Sequence, residues 1–264
     1  MRKNFNCIKA NALFLKGRYK DAFEAYFRGA TEFYDLEAAI NLAYMYSQGY
    51  YVPRNYYMAR RFYESAEEYG EGEACFNLAL IYIRGLGVKA DFVKAVEHMK
   101  KSAAKGCIDA QLYLGNAYTL GCVFDPLNIE CISLIPYYRI IPRDTNITLL
   151  MGAGLDEETE IKRFETIRAD EYDAFEMFQL AAEHKDDTYI SSQLGTARFM
   201  VGQALIEGFG KDYSPIEGYR LIEKAASDNL SEEAARLLLA DKDRAKAFGV
   251  DVRKATAFLG ERDG

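Results

Sequence analysis

Tryptophan is absent from the 264 residues, histidine occurs twice and proline five times. Two histidines leave little material for imidazole-based metal binding or acid–base chemistry. So few prolines favour long helices over many short strands. The five cysteines, at 7, 75, 107, 122 and 131, are odd in number and show no paired short spacing. That excludes a Cys-x2-Cys metal framework and argues for small buried residues in a reducing compartment. No stretch approaches ~18 consecutive apolar residues, so no membrane-spanning helix is expected. The opening Met1-Arg2-Lys3-Asn4-Phe5-Asn6-Cys7 has no apolar run suited to export, and a cytoplasmic protein is expected. Basic residues are also in short supply: Lys+Arg 33 against Asp+Glu 40 gives a net charge of -7. Without a local basic stripe, nucleic acid is not expected as a partner.

What is present is apolar and repetitive. Half the residues are hydrophobic, with 20 Tyr and 16 Phe, which excludes a disordered chain. The length allows one or two domains. Ala38, Ala74 and Ala110 recur every 36 positions; so do Leu42, Leu78 and Leu114, then Tyr46, Tyr82 and Tyr118, then Gly49, Gly85 and Gly121. Four position classes on one period define a repeat. Within each unit, Ala, Leu and Tyr fall four apart, on one face of a first helix. Gly85-Leu86-Gly87-Val88 breaks that helix. Asp91 caps a second one, whose apolar stripe runs through Ala95, Met99 and Ala103, and Gly106 stops it. The Tyr class is expected to act as a buried wedge between layers.

The string Ala74-x3-Leu78-Ala79-x2-Tyr82-x2-Gly85-x-Gly87-Val88-x2-Asp91-x2-Lys94-Ala95, ending in Ser102-Ala103-Ala104-Lys105-Gly106, resembles a Sel1-like repeat (SLR), a relative of the tetratricopeptide repeats. The preceding unit departs from it, with Tyr50-Tyr51-Val52-Pro53 where the paired glycines would stand. The N-terminal stretch, Ala10, Gly17-x-Tyr19-x2-Ala22-x3-Tyr26, is more tetratricopeptide-like. The resemblance implies an all-α, right-handed α-α superhelix of five to six helix pairs. Its parts would be a tetratricopeptide-like pair at 4–34, SLR units at 36–70 and 73–106, a third at 109–125 and 170–185 split by an insertion at 126–169, a fourth at 190–229, and a degenerate capping pair at 231–261. Alanines 95 and 174 lie 79 apart, as do 103 and 182, so the insertion adds about 43 residues to the period. Three prolines break its first part, and a helix led by Asp156 is expected in its second. It is either a specificity element that touches a partner or an embellishment packed on its own scaffold, and a filling of the groove is a third option.

By the same resemblance, the superhelix would offer a concave face lined by first helices, with groove positions flanking the Leu/Tyr stripe. Those are Glu37, Ile40, Tyr44, Ser47 and Gln48 in the first SLR unit. In the second they are Glu73, Phe76, Leu80, Ile83 and Arg84, and in the third Asp109, Leu112, Asn116, Thr119 and Leu120. The partner-binding set is Ile40, Tyr44, Phe76, Leu80, Ile83, Arg84, Leu112 and Asn116, with packing against neighbouring helices as the competing explanation for these side chains. No catalytic constellation, phosphate loop or metal motif stands out. His98, His184 and Cys107 read as structural. No cofactor or metal is expected. The implied function is a non-catalytic scaffold or adaptor that binds a protein or peptide, with a basic partner favoured by the acidic balance. A specific inhibitor or immunity protein, and an enzyme working through the insertion, are the alternatives.

Overall fold

The computed structural model describes residues 7–123, 166–185, 191–228 and 231–260, and these form thirteen α-helices with no strand among them. The chain divides into two compact units, Met1–Cys107 and Ile108–Gly264. The first holds three helix pairs: α1 (Cys7–Leu15) with α2 (Tyr19–Glu32), α3 (Leu36–Gln48) with α4 (Tyr56–Glu68), and α5 (Gly72–Arg84) with α6 (Phe92–Ala104). The second pairs α7 (Ile108–Leu120) with α8 (Glu171–Ala182) and α9 (Ser191–Glu207) with α10 (Pro215–Asp228). It ends in α11 (Glu232–Ala240), the six-residue α12 (Lys242–Ala247) and α13 (Arg253–Gly260). The architecture within each unit is that of an α-α solenoid.

Capping and turn chemistry set these boundaries. The side chains of Asp35, Asn55, Asp91 and Asp170 each accept a hydrogen bond from a backbone N–H in the first turn of the following helix, at 2.8 to 3.1 Å. Such caps satisfy donors that the helix itself cannot. One backbone bond then recurs at every inter-helix turn of the SLR units. The N–H of Asn55 donates to the Tyr46 carbonyl, that of Asp91 to Tyr82, and that of Ser214 to Leu205. The same bond joins Asp170 N–H to the Tyr118 carbonyl at 3.0 Å, across the insertion. The third unit is therefore a closed pair although its helices are separated in sequence. The insertion itself, with its expected Asp156-led helix, lies outside the described residues up to residue 165.

Glycine is required where the turns are tightest. Gly85 and Gly121 end first helices at φ 64 and 68, and a Cβ on them would come within 3.1 Å of Ala90 and 3.0 Å of Ala169, the residues just before the next caps. Gly87, at φ 68, instead lets its turn lie against Tyr56 of the preceding unit. One period earlier the chain has Tyr51, which takes the same left-handed conformation at φ 67 and sets its ring 5.5 Å from that of Phe23.

The cores combine alanines and aliphatic side chains of the first helices with alanines and large aromatic side chains of the second. Ala38, Leu42, Ala74 and Leu78 are fully buried in the first unit, as are Ala110 and Leu114 in the second. The expected wedge needs correcting. Tyr46, Tyr82 and Tyr118 are only half-buried; the fully enclosed aromatic side chains are Tyr26, Tyr63, Phe178 and Tyr219, all on second helices. A second-helix side chain is enclosed between its own pair and the next. The first-helix tyrosine reaches only the edge, where Tyr46 stacks on Phe62 and Tyr82 on His98. In the second unit, Gly115 makes room for the Phe178 ring, and Gly202 and Gly218 bring α9 and α10 into close backbone approach. The C-terminal segment is also corrected, from a helix pair to three helices, because Gly249 at φ 79 interrupts it.

Candidate functional site

In the first unit, contacts between α1 and α3 define a polar and aromatic face. The Asn11 amide donates to Glu37 Oε1 at 2.9 Å, and its oxygen accepts from the buried Tyr26 hydroxyl at 2.7 Å and from Asn41 Nδ2 at 3.5 Å. One turn further along both helices, Phe14 meets Tyr44 edge-on, with ring centroids 6.2 Å apart. Tyr19 and Tyr50 complete the cluster: Phe14 lies 5.3 Å from Tyr19 and 5.2 Å from Tyr50, and those two tyrosines are 4.7 Å apart. Tyr44 is 41% exposed, Tyr19 36% and the adjacent Leu15 84%. Desolvation and the Tyr50 hydroxyl raise the pKa of Tyr44, so it stays a neutral donor and acceptor. The Ser47 hydroxyl donates to the Tyr44 carbonyl of its own helix at 2.8 Å.

The candidate residues separate on this frame. Tyr44 is exposed, and Phe76, Leu80 and Arg84 are half-buried on α5. Ile40 and Ile83 are interior, 6% and 2% exposed, because their positions turn toward the neighbouring helices; neither is available to a partner in this structure. Leu112 and Asn116 belong to the second unit. Leu112 packs against the cores around Phe178 and Leu194, and the Asn116 amide donates to the Leu112 carbonyl at 3.0 Å. Phe14, Tyr19, Tyr50 and Asn11 were not in the candidate set. The departure of Tyr50-Tyr51 from the paired glycines was their one visible sign.

A second polar cluster joins α4, α5 and α6. Glu67 Oε1 accepts from His98 Nδ1 at 2.8 Å, from Lys101 Nζ at 3.1 Å and from the Cys75 thiol at 3.7 Å. Burial pushes the Glu67 carboxyl upward, but its bonds to Lys101 and His98 outweigh that and hold it below the usual range. Burial, then the Glu67 charge, pushes Cys75 up to about 11, which makes it a poor nucleophile. His184 bonds to the buried Gln111 at 3.0 Å. Both histidines thus have structural partners. Among the described residues no three His, Cys, Asp or Glu side chains gather in a way that could hold a metal ion, and no helix is long and apolar enough to cross a membrane.

The Sel1 repeat family model matches residues 36–68, 72–107, 165–186 and 195–230. The third match takes in only the second helix of its unit, for which α7 supplies the first. The crystal structure of a Sel1 repeat protein from Oxalobacter formigenes is similar over 98% of this chain and 85% of its own, with a TM-score of 0.66 and 19% identity, a likeness of fold. The crystal structure of c5321, a protective antigen present in uropathogenic Escherichia coli strains and displaying an SLR fold, aligns with 97% of this chain and 53% of its own, at a TM-score of 0.42 and 23% identity. No curated protein matches the chain.

Proposed function

Because the chain is a Sel1 repeat protein, we propose that it is a non-catalytic scaffold or adaptor that holds a partner protein or peptide against the first helices of its repeats. Sel1 repeats generally mediate protein–protein interaction. The observation that carries this reading is the aromatic group Phe14, Tyr19, Tyr44 and Tyr50, which leaves ring surface open to solvent beside Leu15. Rigid aromatic side chains with a hydroxyl at the tip are the residues that dominate binding energy when a partner covers them. Phe76 and Leu80 extend the same character onto α5. Glu37 and Glu73, exposed in the first turns of α3 and α5, favour a partner with basic residues flanking its apolar anchor.

Affinity capture from extract compares wild type with Tyr44→Glu and with Phe76→Glu plus Leu80→Glu, each first shown by circular dichroism to keep its helix content. Loss of the same captured protein from both variants supports the reading. Equal capture by all three proteins overturns it.

A further inference from the structure

Three of the four rings on the aromatic face of the first unit carry a hydroxyl. Tyr19 and Tyr44 both pack on Tyr50, with centroids 4.7 and 6.0 Å from it and planes inclined at 33° and 39°. Phe14 meets the same three rings edge-on, at 62°, 63° and 86°. Rings inclined in this way do not close into a flat stack, and Tyr19 and Tyr44 keep exposed surface beside the exposed Leu15. The Tyr44 and Tyr50 hydroxyls bond to each other. A pair of hydroxyls spends one O–H on such a bond and keeps the other, so this pair, together with Tyr19, can donate outward.

Each common mode of peptide recognition asks something different of a surface. Strand addition needs an open sheet edge, and no strand occurs among the described residues. A phosphorylated segment needs an arginine cluster; Arg18, next to Tyr19, is already bonded to Asp21 at 2.7 Å. The charge bonded to Asn11, one turn from Phe14, is instead the exposed carboxylate of Glu37. A docked helix satisfies its own carbonyls, so it would bury these hydroxyls without acceptors, which is costly. A polyproline II segment has no internal hydrogen bonds, so its carbonyls are open to phenolic donors, and its proline rings pack in aromatic-lined grooves. Its extended form is largely set before binding, which lowers the ordering cost.

On the reading that this face is the partner site, we propose that its occupant is a proline-rich segment in the polyproline II form, its prolines against Tyr19, Tyr44 and Tyr50, its carbonyls accepting from their hydroxyls, and a basic residue beside the prolines directed to Glu37. The hydroxyls then set the backbone form of the partner, and Glu37 selects its charge.

The test is an NMR titration of the isotope-labelled full-length chain with a synthetic peptide of repeated Pro-Pro-Leu units and a lysine at each end. Amide shifts at Leu15, Tyr19, Tyr44 and Tyr50 are expected. The same peptide with alanine for proline should bind about tenfold more weakly, because its extended form is no longer set in advance. Tyr19→Phe plus Tyr44→Phe keeps the rings, removes two hydroxyls and should weaken binding about fivefold. An amphipathic helical peptide of equal charge is the rival occupant. The proposal is overturned by shifts elsewhere or by none, by equal binding of the alanine, helical or glutamate-for-lysine peptide, or by undiminished binding in the double variant. Shifts at these residues with the helical peptide alone overturn it and leave the face a partner site. Equal capture from extract by wild type and Tyr44→Glu removes the partner site itself.

Discussion

At the scale of single residues, the two tyrosine classes differ in depth and therefore in energetic weight. Tyr63 is 2% exposed, enclosed by Ala43, Ala59 and Leu78, while Tyr46 is half-buried and stacked on Phe62. Tyr63→Ala should cost about 3–5 kcal/mol, as expected for an enclosed aromatic, and Tyr46→Ala about half of that. Chemical denaturation of the two variants measures the difference, and equal losses would contradict the packing described. Gly87→Ala adds a methyl 2.9 Å from Tyr56 Cβ and strains a left-handed backbone, so it should cost about 1–3 kcal/mol in the same assay. The interval of 36 links Tyr46 to Tyr82 and Tyr118, and Tyr63 to Met99 rather than to another tyrosine. It could not rank them, because recurrence reports that a position is equivalent from unit to unit and not how many helices surround it. Ile40 and Ile83 were misplaced for the same reason: a shift of one residue on a helix is a turn of about 100°, enough to carry a side chain from surface to interior.

Among the elements, the helix pair is the unit that persists. Asp170 N–H closes onto Tyr118 as Asp91 N–H closes onto Tyr82, although the first bond spans 52 positions and the second nine. Replacing residues 124–165 with an eight-residue Gly-Ser linker leaves the buried Cys122, Val123 and Ile167 in place and should therefore keep the α7–α8 pair. By the logarithmic dependence of loop closure on length, it should also stabilise the chain by about 1 kcal/mol. Urea denaturation of the shortened protein checks this, and a protein that fails to fold would mean the replaced residues supply part of the core. The size of the interruption could be read from where the alanine spacing resumed at Ala174 and Ala182. The break in the C-terminal segment was harder to see, because Gly249 stands among charged residues that set no strong period.

Across the whole molecule, acid sensitivity traces to a few anchored carboxylates. Glu67 has a folded pKa below its ordinary value, so its contribution is fully present above that ordinary value, about 4.3. The contribution is lost as pH falls through the folded value. Between pH 5 and 3 the wild type should lose more stability than Glu67→Gln, and parallel loss in urea melts would show that the cluster with His98 and Lys101 carries no such linkage. Of the aromatic face, Tyr44 was legible because it flanks the Leu/Tyr stripe of a well-marked unit. Phe14 and Tyr19 sit in the less regular N-terminal pair, and only the fold brings them beside Tyr50.

Cys7 and Cys75 are buried in the first unit and Cys122 in the second, while Cys107 is partly accessible. With Cys107 and Cys131 changed to serine, an alkylating reagent would reach a sulfur only when the surrounding helices part. The chain thus carries natural chemical clocks for its own breathing. The order in which the three thiols become modified would reveal whether the repeats loosen one by one or all at once, with no probe introduced from outside.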